Sequence, residues 1–238
     1  SEVKKVLSET YHVPVFIENI TKLSALGEKR FGAGRSHQDI VFFEVSTGIG
    51  AGVIIQNSLH RGFRGAAGEV GFSIIGTENI SYPLSNTGFF ERFASVDSIA
   101  EKAFKRITAG EPSILTEYVS DSENSLTAEA VCMAALCGDD LACSVIEEAV
   151  KMYTVLLQNI ILILDPEIVL IGGDICNLPE MEKLFLKPIR QYIERIVPFT
   201  PPQIVEASLG GDAGIIGAAY MATESLLLGM YPYKIEQV

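Results

Sequence analysis

The stretch Val45-Ser46-Thr47-Gly48-Ile49-Gly50-Ala51-Gly52-Val53-Ile54-Ile55 decides how the rest of the chain is interpreted. An apolar run, Ile40 to Val45, leads into it, and a second run, Val53 to Ile55, leads out. Two apolar runs that meet at a Ser-Thr-Gly turn predict a hairpin of two strands. Glycines at alternate positions remove the Cβ atoms that keep a ligand away from the backbone, and the exposed N–H groups of such a bend suit an anion such as phosphate.

A second glycine-rich stretch follows the hairpin and strengthens this interpretation. Gly-x-Gly-x-Gly alone is weak evidence, because many tight hairpins contain it. The stretch Gly62-Phe63-Arg64-Gly65-Ala66-Ala67-Gly68-Glu69-Val70-Gly71 places four glycines around one carboxylate, Glu69. This pattern is typical of a close-packed loop that presents a single polar side chain.

Together the two stretches resemble the ROK family of sugar kinases and repressors, which has a two-lobed, actin-like ATPase (ribonuclease H-like) fold. Later matches are Ile171-Gly172-Gly173 and the run from Leu209 to Ala219. The resemblance extends from about Val13 to Ala222. It implies an α/β fold and a phosphate or nucleotide loop, expected to be weak or vestigial here, at Ser46, Thr47, Gly48, Gly50, Gly172 and Gly173.

Composition restricts the function classes. A net charge of −12 and the lack of any Lys/Arg-rich run argue against a grip on a nucleic-acid backbone by this part of the chain. The longest apolar run, around residues 160–164, is too short to span a bilayer. The four cysteines form no Cys-x-x-Cys pair, so we interpret them as buried thiols in a reducing cytoplasm.

Periodicity predicts helices that alternate with strands through the second half, which indicates an α/β fold. The expected helices cover residues 2–10, 128–138, 140–164, 181–196 and 213–228. Another is expected to begin within residues 18–28 and to run to about Phe31, with a further one near 113–119 and a helical pattern from Gly88. The expected strands cover residues 13–17, 40–45, 53–55, 167–171 and 203–207.

The same pattern predicts the domain organisation. No Asp-Gly-Gly-Thr hairpin, with which such a small lobe normally begins, precedes the first helix. We therefore expect residues 1–36 to be the remnant of a small N-terminal lobe and residues 37–238 to form the large lobe. The closing helix, 213–228, is expected to pack back toward the small lobe. A DNA-binding domain is expected to lie outside this sequence.

Asn19 and Ile20 are the residues that bear on catalysis. The Asn19 amide can cap the following helix or donate to a sugar hydroxyl; the residue alone favours capping, and the resemblance favours sugar contact. In kinases of the family, an aspartate directly after this asparagine removes the proton from the attacking hydroxyl. Ile20 stands at that position and has no lone pair, so the chain is expected not to be an enzyme.

The zinc site of the family is also expected to be absent. By the resemblance, its histidine position holds Phe72, and its three cysteine positions hold Tyr82, Leu84 and Phe89. Zinc binds Cys, His or carboxylate ligands. We expect an apolar cluster of these side chains to hold the loop in place of the metal.

Glu69 and Glu91 remain, and with Asn19 they are the expected sugar-binding residues. Taken alone, Glu69 could be a solvated loop residue, Glu91 could only favour a helix dipole, and Gly172-Gly173 could be a plain turn. Two carboxylates and an amide can fix one orientation of a pyranose.

Three hypotheses follow. The first is the sugar-sensing domain of a ROK-type transcriptional regulator, the second a divergent ATP-dependent sugar kinase, and the third an assembly module without a ligand. We favour the first, with a small sugar or sugar derivative as effector, DNA contacted only through a domain outside this sequence, and a homodimer or homotetramer as the assembly. No cofactor is expected: zinc is predicted to be absent, and the hairpin is predicted to bind ATP weakly or not at all.

Overall fold

A mixed five-stranded sheet forms the centre of the protein in a computed structural model, which describes residues 2–83, 86–119 and 126–228. The strands are β1 (Ile40–Val45), β2 (Ile49–Ile55), β3 (Ser58–Leu59), β4 (Ile168–Gly172) and β5 (Gln203–Glu206). Their order is β3-β2-β1-β4-β5. The β1-β2-β3 half is antiparallel, whereas β1, β4 and β5 run parallel. The predicted glycine-rich hairpin is confirmed as the β1–β2 connection, with Val45 paired to Ile49.

Helices cover both faces of this sheet. They are α2 (Ile20–Phe31), α3 (Phe89–Ala94), α4 (Val96–Thr108), α5 (Ala128–Leu136), α6 (Asp140–Leu164), α7 (Lys187–Ile196) and α8 (Ala213–Leu227), whereas α1 (Glu2–Tyr11) buries none of its residues. Alternate residues of each strand supply the two cores. Ile40 and Phe42 belong to the cluster that packs under α2 and α8, whereas Val41 and Phe43 belong to the larger one with α3 to α7.

The α2–α8 contact is close because glycines lie at the crossing. A Cβ on Gly217 would collide with the Leu23 carbonyl, and one on Gly27 would collide with the Ala213 carbonyl. α2 also packs against β1 and β2. The closing helix therefore contacts α2, the helix that follows Asn19. The division into two lobes at residue 36 stays a prediction.

A buried carboxylate joins the end of α2 to the start of the α8 segment. Glu28 has no exposed surface. Its Oε1 accepts a hydrogen bond from Leu209 N at 2.7 Å, and its Oε2 accepts from Ala33 N at 2.8 Å and from Ser208 Oγ at 3.2 Å. A buried charge persists only where hydrogen bonds or ion pairs compensate it. Glu28 thus fixes how α2 sits against α8.

Several sequence expectations were wrong in detail. Residues 13–17 form no strand, and Val13 and Ile17 are 52% and 53% exposed. An apolar run becomes a strand only where a neighbour offers backbone partners, and β1 is already paired on both sides. The helix expected at 181–196 starts with a π-helical turn, Glu182–Leu186, just before Pro188, which has no N–H for a regular helical bond.

Two further expectations need correction. The segment near 113–119 is a 3₁₀ helix, Ile114–Tyr118. Only Cys132 is fully buried, whereas Cys137 and Cys143 are exposed and Cys176 is half-buried. Burial raises the pKa of the Cys132 and Cys176 thiols to about 12, so both stay protonated at neutral pH.

Within the described ranges, no helix combines the length and apolarity needed to cross a membrane.

Candidate functional site

A cleft of about 290 Å³ opens where β1 turns into β2. Its walls come from the start of α2, the hairpin, the loop that carries Glu69 and the first turn of α3. The structure therefore brings Asn19, Glu69 and Glu91 together with most of the predicted hairpin residues. Gly172 and Gly173 are not among the lining residues, which are Asn19, Ile20, Thr21, Lys22, Glu44, Ser46, Thr47, Gly48, Ile49, Gly50, Ala51, Gly68, Glu69 and Glu91.

Asn19 caps α2. Its Oδ1 accepts hydrogen bonds from Thr21 N at 2.9 Å and Lys22 N at 3.3 Å, and its backbone is extended, as an N-cap requires. The capping interpretation is therefore confirmed. Its Nδ2 group has no partner among the described residues, so this amide can cap the helix and still donate to a ligand in the cleft.

Ile20 is the first residue of α2 and lines the same cleft. Its side chain is 58% exposed. Its terminal Cδ1 methyl lies over Gly214 of α8, where an added Cβ would collide with it. An alkyl group thus occupies the wall of the cleft beside Asn19.

Glu69 is positioned by a tight approach of its loop to β2. Gly68 has φ +89°, and a Cβ there would collide with the Ala51 carbonyl. Ala51 N also donates to Gly68 O at 2.8 Å. No hydrogen bond or ion pair to the Glu69 carboxylate exists within residues 2–83, 86–119 and 126–228. It is exposed at the cleft and available to a ligand.

Glu91 is tied to the hairpin. Its Oε2 accepts a hydrogen bond from Ile49 N at 3.1 Å. Gly48 and Gly71 make room for it, since a Cβ on either would lie 3.1 or 3.3 Å from that oxygen. Glu91 therefore holds α3 against the hairpin in addition to lying in the first turn of that helix.

The hairpin has already used part of its hydrogen-bonding capacity. Ser46 N donates to Gly48 O at 2.9 Å, and Ile49 N donates to Glu91. The Ser46 hydroxyl accepts from Asp174 N at 3.0 Å, which joins the turn at Gly173 to the end of β1. Gly173 has φ +92°, and a Cβ would lie 2.6 Å from Val45 O, so this turn requires glycine. Thr47 is exposed at the tip.

Aromatic rings pack beside the cleft where the resemblance implies a zinc site. The rings of Tyr82 and Phe89 have centroids 5.2 Å apart, and Phe93 lies 6.0 and 4.9 Å from them. Phe72 is 44% exposed and joins none of these contacts, and Leu84 lies outside the described residues. In the part of the chain that the structure describes, no three His, Cys, Asp or Glu side chains could hold a metal. These residues do not fit zinc.

We expect elemental analysis of the purified protein to find no stoichiometric zinc, because aromatic and aliphatic side chains offer none of the donors that zinc prefers. Chelators should leave the melting temperature unchanged, and added zinc should not raise it. One zinc per chain, or a clear drop in melting temperature with a chelator, would show that this loop has been misassigned.

Sequence reasoning missed three polar lining residues, Thr21, Lys22 and Glu44. Lys22 is 2% exposed, and its Nζ donates to the Gly65 carbonyl, which holds the loop before Glu69 against α2. The Thr21 hydroxyl donates to Glu44 Oε2. The available signal was a single charged residue within the otherwise apolar strand Ile40–Val45.

Comparisons with known proteins agree on one family. The sequence model of a protein family described as "ROK family" matches residues 1–225. A glucokinase of Halalkalibacterium halodurans is 30% identical over 93% of this chain and 67% of its own length. A xylose repressor of Caldicellulosiruptor bescii is 29% identical over 94% of this chain. The chain spans 56% of that repressor's length.

Solved structures divide in the same way. A ROK family glucokinase from Streptomyces griseus, solved with glucose and AMPPNP, superposes with a TM-score of 0.78 at 29% identity, over 93% of this chain and 72% of that one. A ROK family transcriptional regulator, a homologue of the E. coli MLC protein, superposes with a TM-score of 0.80 at 29% identity, over 95% of this chain and 57% of that one. Similarity alone therefore does not separate a kinase from a regulator.

Proposed function

This chain belongs to the ROK family, and from that premise we propose that it is the sugar-sensing part of a transcriptional regulator without kinase activity. The main observation behind the proposal is that residue 20, in the cleft beside Asn19, is an isoleucine. The resemblance implies a catalytic aspartate directly after Asn19, and an exposed alkyl group stands there in the cleft. A general base contributes about 10²–10⁴ to a rate, so its loss favours binding over chemistry.

The charges around the hairpin also support a sensor over a kinase. The Glu91 carboxylate bonds the hairpin directly through Ile49 N, and Glu44 and Glu69 line the same cleft. The resemblance implies Glu69 and Glu91 in kinases as well, so the added carboxylate is Glu44, and because like charges repel it disfavours a nucleotide phosphate at the turn. The proposed site thus keeps groups that accept hydrogen bonds from sugar hydroxyls and offers little to ATP.

A divergent sugar kinase is the second candidate, favoured by the intact Ser-Thr-Gly-Ile-Gly-Ala-Gly hairpin and by the glucokinase relatives. It requires another group to take the proton from the sugar hydroxyl. Glu44 is the one further carboxylate in the described lining of the cleft, and its Oε2 already accepts from Thr21. The regulator remains our conclusion.

In the regulator, the sugar would act by favouring one arrangement of the full-length protein, because a ligand shifts states only by its difference in affinity for them. Operator DNA would be contacted by residues outside this sequence, consistent with the acidic charge of −12 carried here. A homodimer or homotetramer remains the proposed assembly.

The test of this proposal is a phosphorylation assay. Full-length protein with ATP, magnesium and a panel of sugars should show no transfer above background, because Ile20 cannot accept a proton. The glucokinase of Halalkalibacterium halodurans serves as the positive control in the same assay. Turnover near ~1 s⁻¹, the low end for ordinary enzymes, would contradict the regulator and establish the kinase.

A further inference from the structure

The cleft carries an excess of negative charge. Four charged side chains line it: Lys22, Glu44, Glu69 and Glu91. The only cation among them, Lys22, is buried and directed at the Gly65 carbonyl. No lysine, arginine or histidine of the described ranges lies within ion-pair distance of any of the three carboxylates. A ligand that enters the cleft therefore meets uncompensated negative charge.

Glu44 is the carboxylate that nothing in the family pattern explains. It lies near the end of β1 on the face that packs against α2, and it is half-buried while the other five residues of the strand are buried. Its cross-strand neighbours are glycines on both sides, Gly50 on β2 and Gly172 on β4. No side chain therefore flanks it along the sheet, and the Thr21 hydroxyl orients it from above.

The three carboxylates do not converge on a point. In the ranges that the structure covers, no group of three acidic, histidine or cysteine side chains is arranged to hold a metal ion. They line a cleft of about 290 Å³ instead. A ligand that spans the cleft and carries a positive charge, such as a sugar ring with a cationic substituent, would offset this negative charge.

We propose that Glu44 is a ligand-binding residue of the cleft and makes it selective for a sugar with a protonated amine over the corresponding hydroxyl or phosphate sugar. This rests on the proposed sugar-binding function. An ammonium group donates charge-assisted hydrogen bonds to a carboxylate, which are stronger than those of a hydroxyl. A phosphate at the same place meets like charge and is excluded.

The experiment is calorimetric titration of the full-length protein with glucosamine, galactosamine and mannosamine, each beside its parent hexose, and with glucose 6-phosphate. One amino sugar should bind about ten- to a hundredfold more tightly than its hexose, the range expected for a charged hydrogen bond. This preference should shrink at high salt, because screening weakens charge attraction. Glucose 6-phosphate should bind most weakly.

Glu44→Gln supplies the decisive comparison. It keeps an oxygen for the Thr21 hydroxyl and removes only the charge, so the ratio of affinities for amino sugar and hexose should fall toward one. Glu129→Gln, an equal change of charge at an exposed position in the first turn of α5, should leave the ratio unchanged. Melting curves show that both variants fold.

The results that overturn the proposal can be distinguished from one another. If hexoses bind but no amino sugar binds more tightly, or if the preference survives Glu44→Gln, the selectivity role of Glu44 is wrong while the sugar-sensing function stands. If no sugar of the panel binds at all, both fail together. Tighter binding of glucose 6-phosphate than of any amino sugar would likewise refute the charge argument.

Discussion

Replacing Glu28 by alanine should destabilise the protein by about 3 kcal/mol, since several hydrogen bonds to one buried charged group are lost together and their donors are left unpaired. Leu209 N and Ala33 N would lose their acceptor, and so would the Ser208 hydroxyl. For a chain of 238 residues this corresponds to a fall in melting temperature of roughly 6–12 °C.

Urea unfolding followed by circular dichroism measures this loss. Glu28→Gln keeps one acceptor oxygen and should lose less stability than the alanine variant. Glu9→Ala is the matched control, because Glu9 is an exposed helical glutamate whose side chain makes one ion pair with a described residue, Lys5. The Glu9→Ala variant should have the same free energy of unfolding as the parent. Equal stability of Glu28→Ala and the parent would show that the carboxylate does not join α2 to α8.

Glu69→Ala and Glu91→Ala should each weaken sugar binding about ten- to a hundredfold, the usual result of removing one partner of a charged hydrogen bond. The two should differ in stability. The Glu69 carboxylate has no partner in the described residues, so its removal should leave the melting temperature unchanged. Glu91→Ala also removes the hydrogen bond from Ile49 N, which should lower the free energy of unfolding by about 1 kcal/mol.

Calorimetry measures the affinities, and Glu91→Gln separates the two roles of that residue. The amide oxygen can still accept from Ile49 N, so this variant should keep the hairpin in place while losing the charge toward the ligand. Glu129→Ala serves as a remote control. Unchanged affinity in Glu69→Ala and in both Glu91 variants would remove these carboxylates from the binding site.

Local sequence signals were sufficient for most of the secondary structure. The glycine spacing of the hairpin and the apolar periodicity of α2, α5, α6 and α8 predicted elements that the structure confirms within a few residues. The α/β class and the actin-like ATPase fold are confirmed by the family match and by ROK sugar kinases among the structural neighbours. The elements and the α/β class could be predicted because turn chemistry and periodicity are local properties of a chain, whereas the actin-like fold was implied by the family resemblance.

The parts that sequence reasoning missed depend on contacts between distant residues. Glu28 accepts from Leu209, and Ile20 lies over Gly214, pairs that only the folded chain brings together. Glu44 lies in an apolar strand, and its position in the cleft depends on two glycines in other strands. The sugar-binding roles of Asn19, Glu69 and Glu91 stay predictions, although the structure brings all three to one cleft.

The central claim, that this cleft senses a sugar, is tested most directly by calorimetric titration of the full-length protein with common mono- and disaccharides and the amino sugars. The account predicts that at least one of them binds, with one site per chain, and that Glu69→Ala weakens this binding at least about tenfold. If no sugar binds, or if Glu69→Ala binds as well as the parent, the sensor assignment is wrong.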